Sequence, residues 1–239
     1  METTVGSPSV PRPVLVTGAL AALVTVVALG TALVLRPEPG LSAGAEDAPA
    51  TATSASHTGC GDEPCRVLAQ TGVNGMTVEL LADGDGGMGR LRAGGPGSGT
   101  IAETAITTMG VRLNHDSLRC VETATPVCLV RGPHDGGMVG EVLVWRGDSW
   151  RATARPYFSD AGSITLSNVT GDATPEVIVV RHECSRTDTV EECQQAPVLA
   201  EVFDLRGGQA GCTLTYGSPG ALRNWPEVEV DDSELTTCP

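Results

Sequence analysis

At 239 residues the chain is long enough for one domain of ordinary size or two small ones, and its net charge is −14. Its 15 basic residues are all arginine and form no basic stripe, so the acidic chain repels phosphate backbones and we expect no nucleic-acid partner. The lack of lysine also excludes a P-loop and Schiff-base chemistry.

The first predicted element is a membrane-spanning helix. Val14 to Leu35 is an uninterrupted run of 22 residues without a charged side chain, flanked on each side by an arginine. As a helix this run would span about 33 Å, which matches a hydrocarbon core about 30 Å thick. Because a cleaved signal peptide has a shorter apolar stretch, we predict an uncleaved signal-anchor helix over residues 14–35, with residues 1–13 in the cytoplasm. The alternative is cleavage after the A-x-A sequence at residues 43–45.

Residues 36–58 are rich in Pro, Ala, Ser and Thr and nearly lack large apolar side chains, so we predict a disordered linker. Two arginines and four acidic residues give residues 1–58 a charge of −2, which leaves −12 for residues 59–239. All eight cysteines also lie in residues 59–239, and an even number behind a membrane segment is typical of disulfides in an oxidising compartment. We therefore predict that residues 59–239 form a domain outside the cytoplasm, in a single-pass protein of the cell membrane.

The pattern of this domain is all-β. Short runs rich in β-branched residues are separated by Gly, Asp and Pro, and no sustained helical stripe is present, although residues 100–108 suggest a short helix. We predict disulfide-stapled antiparallel sheets, arranged as a sandwich or as blades. The predicted strands cover residues 76–81, 141–146, 149–154, 163–169, 175–180, 198–205 and 212–216.

One hairpin is predicted in detail. Gly147 and Asp148 form a two-residue loop of the primed-turn kind, which places Trp145 opposite Trp150 in a non-hydrogen-bonded pair. Side chains approach most closely in such a pair, so we interpret the two tryptophans as a structural contact. A paired aromatic platform for a sugar ring is the alternative.

The spacing of the cysteines favours local bridges. The most economical pairing joins nearest neighbours, although eight cysteines allow 105 connectivities. The predicted pairs are Cys60 with Cys65, Cys120 with Cys128, Cys184 with Cys193, and Cys212 with Cys238. Zinc is the rival use of these residues, but no C-x-x-C knuckle is present and His182 is the only nearby imidazole.

The sharpest motif is NVTGDATPE at residues 168–176, directly before a predicted strand. It resembles the D-x-N-G-D-G-x-x-D calcium loop of integrin-like FG-GAP and VCBS repeats, and the resemblance extends over residues 141–205. It implies a blade-like sheet and a calcium ion held by four side chains, those of Asn168, Thr170, Asp172 and Glu176. Only two of these are carboxylates, whereas calcium takes 6–8 oxygens, so a turn that folds without calcium is the alternative. We expect no other cofactor.

The motifs of common enzymes are missing, including G-x-S-x-G and H-E-x-x-H, and the pairs His115-Asp116 and His134-Asp135 are typical of solvated loops. The excess of Ala, Gly, Pro and Val follows GC-rich codons and indicates a high-GC bacterial source. We therefore expect an interaction or sensing module, tethered at the bacterial cell envelope and binding a protein or a glycan, rather than an enzyme. The alternatives are an envelope hydrolase that uses Asp and Glu residues of the β domain, and a structural ectodomain of a membrane complex.

Overall fold

The computed structural model describes residues 59–153 and 155–239. The predicted membrane helix at residues 14–35 and the predicted linker at residues 36–58 lie outside the described residues. Within the described part, none of the helices is both long enough and apolar enough to cross a membrane. The described residues fold into antiparallel β-sheets, so the predicted all-β class is confirmed.

Three sheets of at least four strands follow one another along the chain, after a short hairpin of β1 (Gly59–Cys60) and β2 (Glu63–Pro64). The first sheet contains β3 (Arg66–Val73), β4 (Met76–Ala82), β5 (Arg90–Ala93) and β6 (Thr100–Glu103). The second contains β7 (Leu118–Val121), β8 (Val127–His134), β9 (Gly137–Arg146) and β10 (Ser149–Ala152), and β11 (Tyr157–Ser159) extends β10 along the same edge of β9. The third contains β12 (Ile164–Ser167), β13 (Glu176–His182), β14 (Val198–Phe203) and β15 (Gln209–Cys212). In each sheet the neighbouring strands follow chain order, which makes each sheet an up-and-down meander.

Helical structure is limited to short segments in the described residues. The helix α1 (Val190–Gln194) lies between β13 and β14, and 3-10 helices cover Ala105–Met109, Pro219–Ala221 and Asp232–Glu234. Thr189 caps α1, because its hydroxyl accepts a hydrogen bond from the Glu192 amide while the Glu192 carboxylate accepts one from the Thr189 amide. The predicted helix at residues 100–108 is wrong in its first half, which is strand β6, and a 3-10 helix follows it.

The three sheets are stacked, and the second is buried on both faces. Leu80, Leu91, Val130 and Leu143 belong to the apolar cluster between the first and second sheets. The cluster between the second and third sheets contains Leu129, Val142, Val144, Ile164, Val177 and Val179. Strands β8 and β9 therefore read as continuous apolar runs instead of alternating ones. The far face of the third sheet is covered by residues 213–239, whose Leu222, Val228 and Val230 pack on Ile178 and Val180.

Four disulfide bonds join the eight cysteines in the predicted nearest-neighbour pairs. The bond between Cys120 and Cys128 links directly opposite residues of β7 and β8, whose Cα atoms are 4.0 Å apart. The bond from Cys212 to Cys238 fastens the C-terminal residues to β15. No free cysteine is left in the described domain, so these residues supply no thiolate to a zinc ion. Four disulfides indicate an extracytoplasmic domain.

The second and third sheets share a local plan. Thr125-Pro126 precedes β8 and Thr174-Pro175 precedes β13, and proline is tolerated where a strand begins because it cannot donate to the ladder. The connections β7–β8 and β9–β10 of the second sheet, and β12–β13 and β14–β15 of the third, lie at one end of the stack, since residues from all four border the same space.

Candidate functional site

The four connections at this end of the stack surround a cleft of about 680 Å³. The second sheet contributes residues 123–125 before β8 and the turn at Arg146 and Gly147. The third sheet contributes residues 172–176 before β13 and the turn at residues 204–206. The cleft therefore lies where the predicted calcium loop meets the predicted tryptophan hairpin, whose nearest residues, Trp150 and Asn168, are 18 positions apart in the chain.

The tryptophan hairpin has the predicted register, with Ser149 opposite Arg146 and Trp150 opposite Trp145. Gly147 has a φ of 68°, which a two-residue primed turn requires and which glycine adopts without strain. The two indoles meet edge to face, with ring centroids 5.3 Å apart and planes at 70°. Trp150 is 5% exposed and Trp145 is half-buried.

Both indoles pack in the cluster between the first and second sheets. Alternation along β9 turns Val142 and Val144 to the opposite face, where they contact the third sheet. Trp145 borders the cleft at the end of β9, but its ring packs against the apolar cluster between the first and second sheets. This geometry supports the structural interpretation of the pair over a platform for a sugar.

The predicted calcium loop brings its four side chains together, and they form hydrogen bonds within the loop. Glu176 is 5% exposed, and its carboxylate accepts hydrogen bonds from the Val169 amide at 2.8 Å and from the Thr170 hydroxyl at 2.7 Å. The Asn168 amide group accepts from the Gly171 amide at 2.9 Å and donates to the Asp172 carbonyl oxygen at 2.6 Å. These bonds close the turn without a cation, as the calcium-free alternative requires, and calcium binding stays a prediction.

The acidic side chains around the cleft are each engaged in holding a turn. Asp172 accepts a hydrogen bond from the Thr174 amide at 2.7 Å, and Asp204 accepts bonds from the Arg206 and Gly208 amides, both at 2.8 Å. Asp83 holds a turn in the same way, since its carboxylate accepts hydrogen bonds from the Asp85 and Gly87 amides. Short side chains that accept bonds from amides two and four residues ahead fix the backbone of a turn.

Aromatic residues lie beneath the cleft in the cluster between the second and third sheets. Tyr157 and Phe203 have ring centroids 5.4 Å apart, and Leu205, which lines the cleft, packs in the same cluster. Burial, together with the negative charge of Asp204, raises the pKa of Tyr157. At the rim, the exposed guanidinium groups of Arg146 and Arg206 belong to the equivalent turns of the two sheets.

Several polar residues lie away from the cleft. His115 and Asp116 are 3.0 Å apart and largely exposed, and His134 lies 3.3 Å from Asp135, as expected for solvated pairs. Glu141, which the sequence analysis did not single out, is buried in β9 and accepts a hydrogen bond from the Ala105 amide at 2.6 Å. Burial raises the pKa of Glu141 against the opposing effect of this bond. Its signal in the sequence is a carboxylate within a continuous apolar run.

Comparison of the chain with family models, with curated proteins and with solved structures gives no match.

Proposed function

We propose that the chain is a membrane-tethered interaction or sensing module of a bacterial cell envelope, and that its disulfide-bonded domain binds a protein segment in the cleft between the second and third sheets. The observation that carries this proposal is the cleft itself, which is open, about 680 Å³ in volume, and walled by four turns, two of which are held by hydrogen bonds to the side chains of Asp172 and Asp204. Turns fixed before binding lose little conformational entropy when a partner arrives, which favours recognition.

The residues that line the cleft favour a protein partner over a glycan. Arg146 and Arg206 offer positive charge while Asp172 and Asp204 offer negative charge, so the rim presents both signs to a polypeptide. The indole of Trp145 is half-buried and packs on Trp150 and the core cluster, so it offers a sugar ring less stacking surface than an exposed indole would. The charge of −12 on residues 59–239 opposes binding of nucleic acid.

Binding is also favoured over hydrolysis. A glycoside hydrolase needs two carboxyl groups free to exchange protons and to attack, whereas Glu176, Asp172 and Asp204 accept hydrogen bonds that hold their own loops. Glu141, whose pKa is raised, is held by backbone amides at the start of a 3-10 helix and is not among the residues that line the cleft. We infer further that the second and third meanders, which residues 141–205 overlap, are blade-like, as the resemblance to FG-GAP repeats implies.

A photo-crosslinking experiment tests the proposed site. A photoreactive residue replaces exposed Ala173 in the cleft, and as a matched control it replaces exposed Thr187 at the other end of the stack. We expect the full-length chain in its native membrane to form a defined protein adduct from position 173 but not from position 187. Arg206→Glu should abolish the adduct, whereas Arg151→Glu, on an exposed residue outside the cleft, should preserve it. Equal adducts from both positions would refute the site, and adducts with glycan alone would refute a protein partner.

A further inference from the structure

A second cavity, of about 320 Å³, lies at the opposite end of the stack from the cleft. It is bordered by the turn at Asp135 and Gly136, by Asp160 after β11, by His182 at the end of β13, and by the disulfide-bonded loop that contains α1. The proposed protein-binding cleft uses none of these residues.

His182 places an unpaired nitrogen in this region. Its side chain is 8% exposed, and its Nδ1 atom is buried without a hydrogen-bond partner. A buried polar atom left unpaired destabilises the fold, so a ligand for this nitrogen would stabilise it. Unprotonated imidazole nitrogen is also the commonest side-chain ligand for metal ions.

Asp160 supplies an oxygen at a suitable distance. Its Oδ1 atom lies 3.4 Å from Nδ1 of His182 but forms its hydrogen bond, at 2.9 Å, with the backbone amide of His182. In tetrahedral zinc sites the bonds to nitrogen and oxygen are about 2.0–2.2 Å long, which places two neighbouring ligands about 3.4 Å apart. The observed separation is thus that of two ligands on one ion.

The charge around the cavity favours a cation. Asp135, Asp160 and Asp188 carry carboxylates, and no arginine is among the described residues that line it. Asp188 accepts hydrogen bonds from the amide and hydroxyl of Ser185, at 2.6 and 2.9 Å, so it contributes charge while holding its loop. The sulfur atoms of Cys184 and Cys193 lie within 4.8 Å of an Asp160 oxygen, but in a disulfide they are not thiolates and do not act as ligands.

We propose that Nδ1 of His182 and the Asp160 carboxylate bind a divalent transition-metal ion of the zinc type, with water in the remaining positions. A mixed nitrogen and oxygen set suits zinc, whereas calcium and magnesium take oxygen ligands. The ion fastens the end of β13 to the segment after β11, beside the disulfide-bonded loop. This site is independent of the proposed cleft.

Isothermal titration of the oxidised full-length chain with zinc chloride tests the proposal. The wild-type chain should bind one zinc ion at this site, magnesium should not displace it, and zinc should raise the melting temperature. His182→Gln and Asp160→Asn should each weaken zinc binding by at least about tenfold. His115→Gln, in an exposed His–Asp pair elsewhere, should leave the affinity unchanged, which controls for weak surface binding.

A melting curve recorded in EDTA shows whether each variant folds without metal. If one of His182→Gln and Asp160→Asn fails to fold, the zinc affinity of the other decides the result. Zinc affinity that is unchanged in both Asp160→Asn and His182→Gln, or equally reduced in His115→Gln, would overturn the proposal. So would zinc binding that begins only after the disulfides are reduced, because thiolates would then be the ligands.

Discussion

Trp150 is a buried residue whose environment predicts its contribution to stability. Its indole is 5% exposed and packs edge to face on Trp145 in the cluster between the first and second sheets. Trp150→Ala should lower the free energy of unfolding by about 3–5 kcal/mol, because it removes buried apolar surface and leaves a cavity. Urea denaturation measures this loss, and Trp145→Ala, at a half-buried residue, should cost less. If Trp150→Ala kept its stability but lost a ligand, the pair would be a binding platform instead.

Glu141 makes stability depend on pH through its raised pKa. The unfolded chain titrates this carboxyl near its ordinary value of 4.5, and burial raises the folded value. The folded state then holds the proton more tightly, so the contribution of Glu141 is fully present below pH 4.5 and is lost as the pH rises through the folded pKa.

Glu141→Gln keeps an oxygen that accepts the hydrogen bond from Ala105 but carries no charge. We expect the wild-type chain to lose stability relative to this variant between pH 4 and pH 7, measured by urea denaturation across that range. For Glu122→Gln, at an exposed position, the plot of stability against pH should run parallel to that of the wild type. If the plots of stability against pH were parallel for the wild type and Glu141→Gln, the raised pKa of Glu141 would be contradicted.

The loop before β13 is expected to fold without metal. Asn168 makes two hydrogen bonds across the turn and Glu176 closes it from the start of β13. Asn168→Ala should therefore cost about 1–2 kcal/mol of stability, since two exposed hydrogen bonds are lost. Adding calcium or EDTA should leave the melting temperature of the wild type unchanged. Calcium at 100 times its dissociation constant would add about 2.7 kcal/mol, so a calcium-dependent rise that Asp172→Ala abolishes would show that the loop is a functional site.

Predictions from sequence succeeded where the information is local. The hairpin at Gly147-Asp148 and the disulfides follow from turn chemistry and short spacing, and both agree with the structure. The hairpins at Asn74-Gly75 and Asp135-Gly136 also had a clear signal, since positive φ at both residues is the requirement of a type I′ turn. Strands β3 and β8, which enter these turns, were nevertheless missed.

Other elements depend on distant contacts. The strand predicted at residues 212–216 is wrong in its bounds, because β15 covers Gln209–Cys212 and the regular ladder ends there. Beyond it Thr213 and Tyr216 still form backbone hydrogen bonds with β14, and the chain then covers the far face of the sheet. The cleft and the His182 cavity each join residues from separate sheets or loops, so no short pattern in the sequence reports them.

Arg131 couples the layers of the whole domain. This residue of β8 is 8% exposed, and its guanidinium donates hydrogen bonds to the Ile164 carbonyl of the third sheet and to the Glu227 carboxylate of the C-terminal segment. Planar, multiply donating guanidinium groups suit such partly buried junctions, and a lysine would satisfy fewer acceptors. The second sheet thus contacts both of the layers that follow it through one side chain as well as through apolar packing.

Membrane attachment is the prediction that concerns the whole chain. The apolar run of residues 14–35 is long enough to span a bilayer, and all cysteines follow it. We expect the full-length protein to remain in the membrane pellet after alkaline carbonate washing, and external protease to reach the disulfide-bonded domain in intact spheroplasts. N-terminal sequencing should locate the start of the mature chain before residue 14, because the run exceeds the length of a cleaved apolar region. A mature chain that begins at Glu46 would show that the A-x-A sequence is cleaved and that the domain is released, and the proposed tether would then be wrong.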